Sequence, residues 1–300
     1  MTPNQVGPGP VVAAAKAARA SVPGRAAPTD RGWWVMWRVE MAKMRAQARA
    51  RVMVLACLLG PVLFVLVESA QSSTPGDTLF GRWIHESGFA DSLLTLGFST
   101  EWLMPFVIVG VAGDIFAEED RLHTWSLLLT RSRSRQEVLA GKFLAISTYS
   151  LAVTIMLGLS ATLSGAVIVG TQPLVSLDGT VLSASTAWAV TTESWATVLP
   201  PVLAIMAIAL LVSVISRNSW VGVIVPLVII FLFNVISQLS AIDPVRPFLP
   251  TTGFDSWYGL ARTSVYTNQI WASLEVSAAW VVVLLVASSL VFLRRDVVDA

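Results

Sequence analysis

The densest run of ionisable side chains in this 300-residue sequence lies between Gly113 and Lys142. Asp114, Glu118, Glu119, Asp120, Arg121 and His123 come first, then Arg131, Arg133 and Arg135, then Glu137 and the pair Gly141-Lys142. A loop that cradles nucleotide phosphates needs Gly, four residues, then Gly-Lys-Ser/Thr, so that backbone amides hold the phosphates and the hydroxyl reaches magnesium. Here Phe143 follows Lys142 and Gln136 stands where the first Gly belongs, so the sequence carries no such loop. The one thiol, Cys57, sits in an apolar run, which excludes a disulfide framework and a Cys-based metal site and leaves it a packing role. With two imidazoles only, His85 and His123, no catalytic, cofactor-binding or metal-binding set is assigned.

The elements that must position these charges follow from composition. The chain is 55% hydrophobic and 13% charged with a mean hydropathy of +0.69, whereas a soluble domain is about one quarter charged. No Asp, Glu, Lys or Arg occurs in 143–177, 194–216, 218–242 or 276–293. Each stretch is near or above the roughly 20 residues that a helix needs to cross a bilayer core. The expected fold class is an all-α polytopic membrane protein. A net charge of +1 excludes a nucleic-acid binder acting through bulk electrostatics.

Residues 1–30 hold five prolines among Gly, Ala and scattered Lys/Arg, a composition that predicts a disordered tail. Val11–Ala15 is too short for the apolar core of a signal peptide. Over 31–51, Trp34, Trp37, Met41, Met44 and Ala48 recur at spacings of three and four, while Arg31, Arg38, Arg45 and Arg49 fall elsewhere. This is the pattern of an amphipathic helix in the headgroup layer, or of a soluble helix leading into the first span. Six spans are expected at about 52–67, 95–117, 143–170, 195–215, 219–237 and 273–293, within a membrane domain covering 52–295. Residues 171–193 read as a loop. The segment 238–271, with Pro244, Pro247 and Pro250 beside Phe254, Trp257 and Tyr258, reads as an outer loop with surface or re-entrant helices.

Glu101 has two readings. If Ser99 or Thr100 caps the second span, Glu101 falls in its first turn, where the helix dipole favours an acid. If the helix starts near Ser92, Glu101 lies inside the membrane and becomes a functional candidate, as do Asn234 and Gln238 near the end of span five. For the two amides, hydrogen bonding between helices is the alternative to lining a pathway. Gly158, Ala161 and Gly165 point to close helix packing.

Orientation follows from Lys and Arg, which stay on the cytoplasmic side of short loops. With both termini inside, seventeen of the 20 basic residues lie in the cytoplasm, including Arg294 and Arg295 just before the cytoplasmic end 296–300, and three, Arg82, Arg246 and Arg262, lie outside. His85 and His123 then sit on opposite sides and share no metal.

The loop 118–142 combines an acidic turn with Leu122, Trp125, Leu128 and Leu129 on one helical face, a stripe that must bury itself against lipid, the bundle or another protein. This loop resembles that of the permease subunits of ABC-2 type exporters. Their pattern runs acid, Gly-Thr, Leu-rich turn, Pro-x-Ser-Arg and a Gly-Lys that opens span three. Glu118 or Glu119 stands at the acid, Thr124 at the Thr, Leu127 to Leu129 at the Leu turn, Ser134-Arg135 at the Ser-Arg and Gly141-Lys142 at the Gly-Lys. His123 replaces the Gly and Ser132 the Pro. The likeness extends to the helix before span one, to six spans with cytoplasmic ends, and to Leu249-Pro250-Thr251 before span six.

The resemblance implies a division of labour. Two copies of a separate cytosolic ABC ATPase would bind ATP and magnesium, and this chain, holding neither, would pair with a second permease, identical or not, in a bacterial plasma membrane. The coupling loop would meet the ATPase through Glu118, Glu119, Arg121, Thr124, Trp125, Leu128 and Arg135, with Trp125 and Leu128 as buried anchors and Glu118, Glu119 and Arg121 as polar rim. Trp34, Trp37, Arg38, Met41 and Arg45 would form the connecting helix that steadies span one. Nearly charge-free spans favour an amphiphilic or apolar cargo, such as a drug-like natural product, lipid or peptide. A membrane anchor that recruits a cytosolic partner without transporting anything is the alternative.

Overall fold

The computed structural model describes residues 32–71, 80, 83–125, 134–262 and 264–294. The expected N-terminal tail, Leu128, Arg131, Arg133 and the last residues lie outside them. Helix α1 (Gly32–Ala46) is followed by α2 (Ala48–Ala70), α3 (Gly88–Phe98), a π-helical turn (Ser99–Leu103) and α4 (Met104–Ala112). Then come a short α5 (Ala117–Arg121), α6 (Arg135–Ile168), a two-strand hairpin (Leu174–Val175 with Val181–Leu182), α7 (Ala184–Thr197), α8 (Leu199–Ser216), α9 (Ser219–Ser237), three 3-10 stretches between Ser240 and Gly259, and α10 (Asn268–Arg294).

Six of these units are long and apolar enough to cross a membrane: α2, α3 with α4, α6, α7 with α8, α9 and α10. This is an all-α polytopic membrane protein. The units α3–α4 and α7–α8 are the most enclosed, whereas α9 and α10 are the least. Backbone contact makes the packing of α3 on α6 tight where α3 begins and α6 ends. A Cβ on Gly88 would stand 2.1 Å from the Gly165 carbonyl oxygen, so α3 and α6 meet with nothing between them. Gly158 accommodates the Trp195 indole, which donates to Ser92 Oγ at 3.1 Å, and Ser92 in turn meets Thr162 Oγ1 at 2.9 Å.

Element boundaries depart from the expected ones where local chemistry reaches past the apolar run. Ser134 Oγ accepts from the Glu137 amide while the Glu137 carboxylate accepts from the Ser134 amide, a capping box that starts α6 at Arg135 and carries Lys142 into the helix. Ser183 caps α7 through the Thr186 amide, so a hairpin and a helix occupy much of the expected loop 171–193. The helix of span two starts at Gly88, which overturns a cap at Ser99 or Thr100. Glu101 instead sits in the π turn, exposed, in the middle of the unit. In 238–271 the 3-10 stretch Pro250–Gly259 buries Phe254 and Trp257 against the bundle.

Candidate functional site

The charges of α1, α5 and α6 converge at one end of the bundle. Along α1 the inward row is Gly32, Met36, Glu40 and Met44, four residues apart and therefore on one face. This row packs along α6. Gly141 permits the contact, since a Cβ there would stand 2.3 Å from Met36 Cβ and 3.0 Å from the Trp33 carbonyl oxygen. The expected apolar face is thereby rotated. Trp34 is exposed and stacks on Trp37 at 4.4 Å, Trp37 Nε1 donates to Thr148 Oγ1 of α6 at 3.1 Å, Met41 is half-buried, and Arg38 and Arg45 are exposed.

One residue beyond Gly141, Lys142 is fully enclosed at 0% exposure. Its Nζ donates to Glu40 Oε1 at 3.0 Å, to Glu119 Oε1 at 3.0 Å and to the Ile115 carbonyl at 2.9 Å, which uses all three of its protons. The Phe116 ring adds a cation–π contact at 5.5 Å. Lys43 pairs with the same two carboxylates, and Thr124 donates its hydroxyl to Glu119. Two ammonium groups therefore face two carboxylates. Burial by itself raises the Glu119 carboxyl, but the charge of Lys142, hydrogen bonds from Lys43 and Thr124, and the charge of Lys43 hold it down at about 2. Beside this knot, Arg49 pairs with Asp114 and Glu118, and Gln47 Nε2 donates to Glu118 at 2.6 Å.

Trp125 turns inward. It is 3% exposed, packs against Phe116 and Phe292 at 5.8 and 5.3 Å, and donates Nε1–H to Asp120 Oδ1 at 2.8 Å. Arg135 donates to the carbonyls of Phe292 and Leu293 at 3.3 and 3.1 Å, where the last carbonyls of α10 lack helical partners. In this structure Trp125 and Glu119 are buried within the chain and Arg135 is half-buried: a buried carboxylate needs cations, an indole needs aromatic neighbours, and both find them within the chain. What stands out from the knot is Arg121, exposed Leu122 and His123, with Glu118 half-covered behind them. His123 has φ +52°, the left-handed conformation that glycine adopts freely, and it occupies the position of the Gly in the loop pattern.

At the other end, Gln238 lines a cavity of about 480 Å³ with Arg246, Asp255, Tyr258 and Ser277. Asn234, one turn back on α9, is half-buried and lies outside that lining. Among the described residues no group of three His, Cys, Asp or Glu side chains can hold a metal ion. Sequence reading missed Glu40, and with it the pairing of Glu40 with Lys142; the available signal was a single acid inside the Met36–Met44 row.

The model of the ABC-2 family transporter protein matches residues 37–234, from Trp37 in α1 to Asn234 in α9. The chain belongs to the ABC-2 transporter family. It is a multi-pass permease subunit of an ABC transporter, a class that associates with an ABC ATPase. Among curated proteins, none matches the chain. The match embraces every member of the knot, so the permease holds its buried charges within the family's core region.

Proposed function

We propose that this permease belongs to an exporter that moves an amphiphilic or hydrophobic substrate outward. ATP and magnesium would be held by two cytosolic ATPase subunits, and a second permease, identical or not, would complete the pore in a bacterial plasma membrane. The orientation is supported by the basic residues, which gather at the end that carries α1, α5 and the start of α6. Both termini are then cytoplasmic.

The observation that carries the reading is the neutralised knot of Glu40, Lys43, Glu119 and Lys142. It has no nucleophile–base pair and suits a mechanical part. By joining α1, α5 and α6, and by Trp125 and Arg135 gripping α10, it makes one body of four elements. A push on the protruding Arg121–His123 turn is then delivered to the spans as a rigid-body movement. Exposed Leu122 and Arg121 are the contact residues this geometry favours, with Glu118 and Thr124 behind them.

The test replaces Leu122 with Asp. In membranes containing the cognate ATPase, Leu122→Asp should lose ATPase co-purification and ATP-driven dye accumulation in inside-out vesicles, while the unfolding midpoint of the permease stays unchanged. Wild-type co-purification and wild-type dye transport by this variant would overturn the proposal.

A further inference from the structure

A cleft that the proposed coupling does not use opens between the first two spans, with Leu157 of α6 also in its lining. It has a volume of about 340 Å³ and is lined by Gly60, Pro61 and Phe64 of α2 and by Thr95, Phe98 and Trp102 on the other wall. Both walls are irregular helices. Pro61 removes a backbone hydrogen bond from α2, and the opposite unit is interrupted by the π turn Ser99–Leu103. The mouth is flanked by half-exposed Phe98 and Trp102.

Two acids lie one turn beyond one end of the cleft, outside its lining. Glu68 follows Phe64 by one turn on α2, and Asp91 precedes Thr95 by one turn on α3. Because the two helices run in opposite directions, both acids fall at the same end, and Glu68 acts on Asp91 as a like charge. Asp91 is 1% exposed and Thr95 is 6% exposed. Asp91 Oδ2, Glu68 Oε2 and Thr95 Oγ1 are buried without a hydrogen-bond partner. Among the described residues no cation pairs with either acid. Buried carboxylates almost always have a partner. At the other end of the bundle Glu40, Asp114 and Glu119 each have one.

We infer that the cleft binds an amphiphilic amine: its apolar body lies between Pro61, Phe64 and Trp102, and its ammonium is held by Asp91 and Glu68 with Thr95 Oγ1 accepting a further hydrogen bond. An alcohol of the same chain length fills the cleft equally well but leaves the acids unneutralised. A carboxylate is repelled. The cleft belongs to a single permease and needs no ATPase, so this inference stands or falls apart from the coupling proposed above.

The experiment measures binding of radiolabelled dodecylamine to the full chain in nanodiscs, with empty nanodiscs subtracted and dodecanol and dodecanoate as competitors. Saturable binding is expected, with Asp91→Asn and Glu68→Gln each weakening it about tenfold, the loss expected for one charged hydrogen bond. Dodecanol should compete at least about tenfold less well than the unlabelled amine. Gly60→Leu separates a lost site from a lost fold, since a Cβ at Gly60 meets nothing within 4 Å and the side chain can extend into the cleft. That variant should keep its unfolding midpoint and lose binding. Non-saturable uptake, equal competition by dodecanol, or undiminished binding to Gly60→Leu would each overturn the inference.

Discussion

Lys142 Nζ meets Glu40 Oε1 at 3.0 Å, although 102 residues separate them in the chain and Lys142 is wholly enclosed. The pair fastens α1 to α6. It also brings Glu119 of α5 to the same ammonium, so three elements share one cation.

Removing that cation should therefore be costly. Lys142→Met leaves two buried carboxylates with only the half-exposed Lys43, and a stability loss of about 3–5 kcal/mol is expected. The triple variant Lys142→Met, Glu40→Gln, Glu119→Gln should recover most of it, because no unpaired charge remains. Denaturant unfolding in detergent micelles measures both; a single-variant loss below about 1 kcal/mol would show that the knot holds little.

Acidity should act on the same knot. Glu119 is held at about 2 against an ordinary 4.5, so its contribution is complete above 4.5 and drains away as pH falls towards 2. For Lys43, burial alone would lower the ammonium, but Glu40 and Glu119 outweigh it and hold it above its ordinary 10.5. Its contribution is present below 10.5 and fades as pH rises beyond that. The contribution of these two groups should be flat across neutral pH, and the acid fall of the unfolding midpoint should shrink in Glu119→Gln.

His123 offers a gain. Its φ of +52° costs an L-residue about 1 kcal/mol, and Gly recovers part of that against its greater freedom when unfolded. His123→Gly is expected to stabilise by up to about 0.5–1 kcal/mol and His123→Val to destabilise by about 1 kcal/mol or more. Paired unfolding curves decide between this pattern and no effect.

Gly141 should tolerate no side chain. With Met36 Cβ 2.3 Å and the Trp33 carbonyl 3.0 Å from a new Cβ, Gly141→Ala must push α1 off α6, at about 1–3 kcal/mol. Hydrogen exchange should quicken in α1 and leave α8 unchanged. Equal protection of α1 in the variant and the wild type would place the close approach elsewhere.

Much of this was legible in the residues alone. Four charge-free stretches and the basic bias specify a six-span helical membrane protein, because bilayer thickness sets a helix length and an unpaired charge is barred from it, both being local properties of the chain. The spacing Ser134-x-x-Glu137 announces a helix start in the same way, although the apolar run placed span three at 143. Family membership was legible too, from the acid, Thr, Ser-Arg and Gly-Lys of one loop. The direction in which side chains face was decided elsewhere. Trp125 has the spacing of a surface anchor and yet lies between Phe116 and Phe292, and the face of α1 that turns inward is chosen by Glu40, whose partner Lys142 lies on another helix. Periodicity says that a helix has two faces; only the position of the compensating charge across the interface says which one is buried, since an enclosed carboxylate costs least beside a cation. Asp91 and Glu68 show the converse, two acids 23 positions apart that the fold brings together beyond the end of a cleft, with no cation paired to either among the described residues.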